Sequence, residues 1–329
     1  MNYPEYLDYN ATTPCEEEVI TAMIPYLGTH FGNASSKNHP YGWMAEQAVE
    51  EARASLAGLI GAQAKEIIFT SGATESLNLA IRGVFERYQG QKQHYITCQT
   101  EHKAVLDTFA QLEQSGAEVT YLPVNSAGEI DLNELEAQVR DYTKMICLMW
   151  ANNETGVLHP IQEIAQLADK HGIIFFTDAV QAVGKIPVHT QGIHLMALSA
   201  HKLYGPKGIG ALYIRHNHPL PKPMAQIHGG GHERGMRSGT LPTHQCVGMG
   251  EAFRIAKLEM AQDNAKARAL HDRLINGLSD LEQVFLNGHA TQRVPHNINM
   301  SFNFVEGESL IMGIKGLAVS SGSACTSAS

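Results

Sequence analysis

The sequence lacks the features that mark membrane, secreted and nucleic-acid-binding proteins. It has no run of about 18 apolar residues, the length that crosses a bilayer, and its first residues form neither a basic nor an apolar leader. It has no long basic run, and 24 Lys and Arg against 33 Asp and Glu give a formal net charge of −9. We therefore expect a soluble cytoplasmic protein that binds neither membranes nor nucleic acid.

Cysteines are few and scattered, and no Cys-x-x-Cys pair occurs. The five are Cys15, Cys98, Cys147, Cys246 and Cys325. An odd number at these spacings disfavours a disulfide framework and a structural zinc site. Cys98 and Cys147 lie in apolar runs and are expected in the core. Cys325 lies among the small polar residues 320–329, where an exposed thiol is expected.

The chain does contain enough apolar residues, 43% of 329, for a large core. Apolar runs typical of buried strands alternate with segments of helical periodicity. Predicted strands are 66–70, 94–98, 118–122, 145–150, 173–177, 195–199 and 210–214, with helices at 74–82 and 161–171 between them. This alternation predicts an α/β domain with a mainly parallel sheet covered by helices on both faces. A long helix, about 245–281, would lead into a smaller domain containing a strand at 296–302 and a helix at 307–314.

The most informative segment is 198–210, in which Lys202 follows an apolar run and precedes a loop rich in Gly and Pro. Solvated lysines rarely occur in such a setting. A lysine in a partly dry site has a lowered pKa and can form a Schiff base with a carbonyl cofactor. The sequence therefore marks Lys202 as a candidate nucleophilic amine.

The segment 70–76, Thr-Ser-Gly-Ala-Thr-Glu-Ser, places Gly and hydroxyl residues between a predicted strand and a helix. Free backbone N–H groups and the helix dipole make such a turn an anion site. The alternative is that Thr74 caps the helix with its side chain. The sequence leaves both interpretations open.

Three further polar positions follow predicted strands. Asp178 ends one of them, with Gln181 three residues later, and faces the edge at which ligands bind in open α/β sheets. Alternatively, Asp178 could be a helix N-cap. His102 could stack on a ring or move protons, or be a solvated loop residue. Asn153 lies in the segment 150–156, whose amides could orient a ligand or only form a turn at Gly156.

Taken in order, these motifs resemble those of cysteine desulfurases of the class-V aminotransferase family, of the type that feeds iron–sulfur cluster assembly. The resemblance covers essentially the whole chain. The matching segments are 6–14, 32–36, 71–76, 100–102, 152–156, 177–181, 199–202, 237–240 and 320–326. It implies a pyridoxal-phosphate enzyme of fold type I. Residues 14–256 would form the large cofactor-binding domain, and residues 1–13 with 257–329 a smaller, incomplete α+β domain.

The resemblance also implies roles for single residues. Lys202 would hold pyridoxal phosphate as a Schiff base and take the Cα proton of the substrate. His102, also a catalytic residue, would stack on the pyridine ring, and Asp178 would pair with its nitrogen. Gln181 would reach the phenolic oxygen. The remaining expected contacts are Asn153 near Gln181, the phosphate-binding residues Ala73, Thr74, Ser199 and His201, and Thr240, which would reach the phosphate of the neighbouring subunit in a homodimer.

Cys325 would be the nucleophile that receives sulfur from L-cysteine as a persulfide, leaving alanine. The implied acceptors are an iron–sulfur scaffold protein and other proteins of thio-cofactor synthesis or tRNA thiolation. No intrinsic metal site is expected, although Cys325 could be a transient iron–sulfur ligand. Family members continue several dozen residues past this loop and carry there the arginine that binds the substrate carboxylate. We therefore expect these 329 residues alone to have reduced or no desulfurase activity.

Alternative functions remain at this point. A class-V lyase of the selenocysteine lyase type would share Lys202 and Asp178 but would not need Cys325. A truncated scaffold that binds the cofactor with little activity is a second alternative. His228, His232 and Glu233 suggest a metal site, but the three glycines between the histidines disfavour the helix that such a site would require.

Overall fold

The computed structural model describes residues 3–216 and 222–321, and within these ranges the chain forms eleven β-strands and eight α-helices. The strands are β1 (Glu5–Tyr6), β2 (Ile67–Thr70), β3 (His94–Cys98), β4 (Glu118–Leu122), β5 (Thr143–Cys147), β6 (Ile174–Asp178), β7 (Leu195–Ser199), β8 (Gly210–Ile214), β9 (Val284–Leu286), β10 (Met300–Phe302) and β11 (Leu317–Ala318). The helices are α1 (Glu17–Met23), α2 (Pro40–Ile60), α3 (Ala73–Arg87), α4 (Lys103–Gln114), α5 (Leu132–Ala137), α6 (Ile161–His171), α7 (Thr243–Leu278) and α8 (Gly307–Gly313).

Seven strands form the main sheet in the order β2-β8-β7-β6-β5-β3-β4. All run parallel except β8, which is antiparallel to both β2 and β7. The prediction of a mainly parallel sheet flanked by helices is therefore confirmed. Because six strands share one direction, their carboxyl ends lie at the same edge of the sheet, where the site residues are found.

Alternate residues of the strands pack on opposite faces of the sheet, each against its own helices. On one face, Phe69 and Phe175 lie in a core with Leu56 of α2 and Phe253 of α7. On the other face, strand residues such as Tyr95 pack with residues of α3 and α4, among them Leu77 and Phe109. Burial on both faces explains why these strands are apolar throughout instead of alternating with polar residues.

Helix ends follow from local sequence. Helix α2 ends at Ile60 because Gly61 adopts a left-handed conformation with φ 72°, and α6 ends at His171 because Gly172 does the same with φ 63°. Helix α7 buries residues only as far as Ala256, and its second half projects away from the main core. This change in burial supports the predicted domain boundary at 256, which stays a prediction.

Two small sheets lie outside the main one. Strand β1, at the start of the chain, pairs in parallel with β11, while β9 and β10 form an antiparallel pair. The pairing of β1 with β11 joins the first residues to the last described ones, as the predicted small domain requires. Within the described ranges, no helix combines the length and apolar character needed to span a membrane.

A buried histidine predicts how stability depends on pH. His94 is fully buried and its ring nitrogens bond the hydroxyls of Thr143 and Thr120 at 2.8 and 2.9 Å. Burial, followed by the positive charge of Arg140, lowers the pKa of His94 from 6.5 to about 4. The unfolded chain therefore binds a proton between pH 6.5 and 4 that the folded chain excludes. The contribution of His94 to the free energy of unfolding is fully present above pH 6.5 and should fall by about 3 kcal/mol as the pH drops to 4.

Urea unfolding at pH 7 and pH 4 measures this loss. His94→Gln, which keeps hydrogen-bonding groups but does not titrate in this range, should flatten the dependence relative to the unsubstituted protein. The same substitution at exposed His228 serves as the control. An unchanged pH dependence in His94→Gln would contradict the prediction.

Candidate active site

A cavity of about 610 Å³ opens at the carboxyl edge of the main sheet. It brings together nine of the residues predicted from sequence: Ala73, Thr74, His102, Asn153, Asp178, Gln181, Ser199, His201 and Lys202. They come from the ends of β2, β3, β5, β6 and β7 and from the loops that follow. Strand direction, which no local sequence pattern specifies, is what places them on one edge.

Lys202 lies in the loop after β7 and projects into this cavity. Its Nζ donates to the backbone carbonyls of Asn10 and Ala11 at 2.5 and 2.8 Å. The loop is held against the N-terminal segment, since Thr13 N–H donates to the His201 carbonyl at 2.9 Å and Tyr204 N–H donates to Thr13 Oγ1 at 2.7 Å. Sequence reasoning gave no role to Asn10 and Ala11, because the contact joins segments about 190 residues apart.

One end of the cavity is built to receive an anion. Helix α3 begins there, and its N-cap, Gly72 with φ 154°, has no side chain to satisfy the N–H groups of the first turn. The suggestion that Thr74 caps the helix is wrong, because no side chain caps it. The Ser199 hydroxyl is buried in the wall of the same cavity, and within the described residues it has no hydrogen-bond partner. Free N–H groups and an unpartnered hydroxyl together fit a phosphate.

His201, beside this end, is predominantly neutral at pH 7. Burial and then the charge of Lys202 lower its pKa to about 4. Its Nδ1 bonds Thr12 Oγ1 at 3.1 Å. A neutral ring can donate one hydrogen bond to an anion without adding charge.

Asp178 ends β6 with its carboxyl buried. Oδ1 accepts a hydrogen bond from Val180 N–H at 2.9 Å, and the chain turns there without starting a helix. The suggestion that Asp178 is a helix N-cap is therefore wrong. Burial raises the pKa of Asp178, whereas the Val180 N–H and then the nearby His102 and Lys202 act to lower it. A buried acid opposed by cations stabilises a positively charged group placed beside it.

His102 precedes α4 and caps that helix. Its Nδ1 accepts from Ala104 N–H at 3.1 Å, so Nε2 carries the proton of the neutral ring. Because the cap fixes the side chain, His102 is not the solvated loop residue that was the alternative. The ring lines the cavity and presents Nε2 as a donor.

Glu101 was given no role by the sequence; it is buried next to His102 in the chain but does not line the cavity. Its Oε1 accepts from Met149 N–H at 2.7 Å, and among the described residues Oε2 has no partner. Burial raises its pKa well above the usual value, and the charge of Asp178 raises it further. Burial and the charge of Asp178 thus both act against ionisation of Glu101, whereas the hydrogen bond from Met149 N–H favours it. Its only sequence signal was its position next to His102, between two buried strands.

Two amides complete the wall. Gln181 donates from Nε2 to the Asn10 carbonyl and accepts at Oε1 from Lys185 Nζ, both at 3.0 Å. Asn153 lies in a turn held by Asn152 Oδ1, which accepts from the N–H groups of Glu154 and Thr155. The segment thus forms a turn and also places an amide at the cavity.

Other predicted site residues lie elsewhere. Thr240 is exposed and outside the cavity, so its contact with a neighbouring subunit stays a prediction. Cys325 lies outside the described residues. Glu233 pairs with Arg53, and His232 Nδ1 accepts from Gly239 N–H. In the part of the chain that the structure describes, no three His, Cys, Asp or Glu residues form a metal-binding group.

Comparison with known proteins gives matches along nearly the whole chain. The family model "Aminotransferase class-V" matches residues 5–329. "Cysteine desulfurase IscS" of Neisseria meningitidis serogroup C / serotype 2a is 59% identical over 328 residues, which are 99% of this chain and 81% of that protein. A solved "NifS-like protein" superposes with a TM-score of 0.92 at 36% identity, covering 97% of this chain and 87% of its own. The solved structure "SspA in complex with cysteine" superposes with a TM-score of 0.85 at 36% identity, covering 98% of this chain and 90% of its own.

Proposed function

The chain belongs to the class-V aminotransferase family and is a pyridoxal-phosphate-dependent cysteine desulfurase, and on this premise we propose which residues carry the reaction. The observation that carries the proposal is that Lys202 and Asp178 line one cavity, close enough for the Lys202 charge to lower the pKa of Asp178. An amine for the aldehyde and a buried acid for the ring nitrogen are what pyridoxal phosphate requires.

The other cavity residues fit the same cofactor. The open N-terminus of α3, with Ala73 and Thr74, and the hydroxyl of Ser199 would hold the phosphate, assisted by neutral His201. His102, fixed as the cap of α4, would lie on the ring. Gln181 would donate from its NH₂ group to the phenolic oxygen, with Asn153 beside it. Bound in this way, pyridoxal phosphate supplies an electron sink that makes the Cα proton of an amino acid removable.

Each protein group then has one task with L-cysteine. The Lys202 amine, released from the cofactor, takes the Cα proton of the substrate. Asp178 keeps the proton on the ring nitrogen. The Cys325 thiolate attacks the substrate sulfur; the S–S bond forms as the substrate C–S bond breaks, which leaves a persulfide on Cys325 and the carbon skeleton of alanine. The electron pair of the broken C–S bond would stay with the carbon skeleton, and protons added at Cβ and at Cα would give L-alanine.

We further propose the setting of this reaction. The persulfide sulfur would pass to an iron–sulfur scaffold protein and to other acceptors, and the enzyme would act in the cytoplasm as a homodimer in which Thr240 reaches the partner's phosphate site. The exposure of Thr240, away from its own cavity, supports this arrangement. The domain division at 13/14 and 256/257 is supported by the pairing of β1 with β11 and by the burial change along α7.

Treating the purified protein with L-cysteine tests the sulfur step. The unsubstituted protein should gain the mass of a sulfur atom at Cys325 and release alanine. Cys325→Ser should lose the persulfide, and alanine formation should fall to background. Cys15→Ser is the matched control, because Cys15 is the one described cysteine that is not buried and it lies outside the cavity. Normal alanine formation by Cys325→Ser would contradict the assignment and favour a lyase.

A further inference from the structure

A second lysine, Lys185, lies beside the cofactor cavity. It belongs to the turn after β6, in which Ala182 N–H and Val183 N–H both donate to the Ala179 carbonyl. Gly184 in this turn has φ 71°, and a Cβ there would lie 2.3 Å from Leu203 Cδ1. The turn is therefore packed against the residue next to Lys202, which fixes where Lys185 lies.

The ammonium of Lys185 has one hydrogen-bond partner among the described residues, Gln181 Oε1 at 3.0 Å. No described carboxylate pairs with it, and it is partly buried. Burial and then the charge of Lys202 lower its pKa to about 7. His296, which faces the same region, has its pKa lowered by burial and by Lys185. The contact with Gln181 is therefore the main favourable polar interaction available to Lys185.

This contact fixes which way the Gln181 amide points. Lys185 Nζ donates to Gln181 Oε1 at 3.0 Å, which places the amide oxygen toward Lys185, and the charged form of the lysine can only donate. The Asn10 carbonyl can only accept, so the amide nitrogen must face Asn10, at 3.0 Å. The NH₂ group has a second proton, which remains for a ligand. The same Asn10 carbonyl accepts from Lys202, so the Gln181 amide and the proposed Schiff-base lysine are hydrogen-bonded to one acceptor.

We propose that Lys185 is a positioning residue that locks the Gln181 amide with its NH₂ group toward the cavity, where it donates to the anionic oxygen of bound pyridoxal phosphate. The proposal rests on the function proposed above. Without Lys185, the Asn10 carbonyl alone orients the amide, so the fraction of molecules in which the amide presents its oxygen, which repels an anion, should rise. Lys185 touches neither substrate nor cofactor and acts through Gln181.

The effect is measured as the pyridoxal phosphate dissociation constant and as the absorbance of the bound cofactor against pH. Lys185→Met should weaken binding about tenfold, the effect of one hydrogen bond to a charged group. It should also raise the pH at which the bound chromophore titrates, because the anionic form loses its donor. Lys185→Arg, which keeps the charge and donors, should restore both measurements toward those of the unsubstituted protein.

A double-mutant cycle separates positioning through Gln181 from a general effect of charge or stability. Gln181→Leu should weaken binding by a similar factor, and adding Lys185→Met to it should change little further. Full additivity, or a Lys185→Met protein with a lower melting temperature but unchanged affinity and spectrum, would overturn the proposal. Failure of the unsubstituted protein to bind pyridoxal phosphate would instead refute the proposed function.

Discussion

Lys202→Ala should leave the protein folded but without covalently held pyridoxal phosphate and without turnover. The Lys202 amine donates to the carbonyls of Asn10 and Ala11, and because these face the cavity, water can take its place as the donor in the variant. Turnover should fall by at least the factor of about 10² to 10⁴ that a positioned general base contributes. Loss of the covalent bond adds to that factor.

Borohydride reduction followed by peptide mass mapping measures the covalent bond directly. The unsubstituted protein should carry the reduced cofactor on the peptide that contains Lys202, and Lys202→Ala should carry none. Lys170→Ala is a suitable control, because Lys170 is exposed on α6, does not line the cavity and forms its ion pair with Glu136 of α5. Reduced cofactor found on another lysine of Lys202→Ala would show that the Schiff-base assignment is wrong.

The strands of the main sheet could be predicted because burial on both faces leaves a strong local signal. The runs 94–98, 118–122, 195–199 and 210–214 match the structure residue for residue. The run 145–150 is displaced, since β5 ends at Cys147. Residues 148–150 lie beyond the regular strand but remain buried, and Leu148 N–H and Trp150 N–H still donate to the carbonyls of Phe176 and Asp178 in β6. An apolar run indicates that its residues are buried, but it does not indicate where the regular strand ends.

The strand predicted at 296–302 forms only over its last three residues, as β10. Asn297 explains this difference. Its Oδ1 accepts from Arg293 and its Nδ2 donates to the Glu154 carbonyl. These hydrogen bonds hold the start of the segment against the loop that carries Asn153. Glu154 is 143 residues away from Asn297 in sequence, so no periodicity shows this contact.

The order of strands also could not be predicted. Strand β8 follows β7 after residues 200–209, runs antiparallel to it and separates it from β2, which comes far earlier in the chain. This strand order requires glycine at position 210, because a Cβ there would lie 2.7 Å from Gly72 Cα. Contact between the β8 start and the turn before α3 depends on tertiary structure, whereas the sequence shows only that both positions are glycine.

The site was predictable wherever a polar residue ends a buried strand or lies within a few residues of its end. Asp178 and Ser199 end β6 and β7, His102 follows the end of β3 by four residues, and parallel strand direction brings them together. Lys185 and Asn10 do not meet it. Lys185 acts from a turn four residues past Gln181, and Asn10 acts through its backbone carbonyl, which any residue has. Side-chain identity is therefore a poor guide to contacts made by the main chain.

Arg53→Met is expected to have the largest effect on stability. Arg53 and Glu233 form a buried pair, 3% and 2% exposed at their side chains, with two hydrogen bonds at 2.7 and 2.8 Å. Glu233 also accepts from Phe69 N–H at 2.6 Å, and Arg53 NH1 also donates to the Ile67 carbonyl. Removing the arginine leaves a buried carboxylate without its counter-ion, which costs about 3–5 kcal/mol.

Urea unfolding should show this loss as a lower midpoint with an unchanged slope. Lys37→Met is the matched control, because it breaks an exposed pair with Glu46 and should cost at most about 1 kcal/mol. Adding Glu233→Gln to Arg53→Met removes the stranded charge and should recover part of the stability. Without that recovery, the loss would come from Arg53 packing on Phe69, whose ring centre lies 4.8 Å from the guanidinium carbon. The ion pair therefore connects α2 and β2 with the segment that leads to Thr240. Its loss should weaken the link between the sheet that carries the cofactor site and the proposed subunit contact.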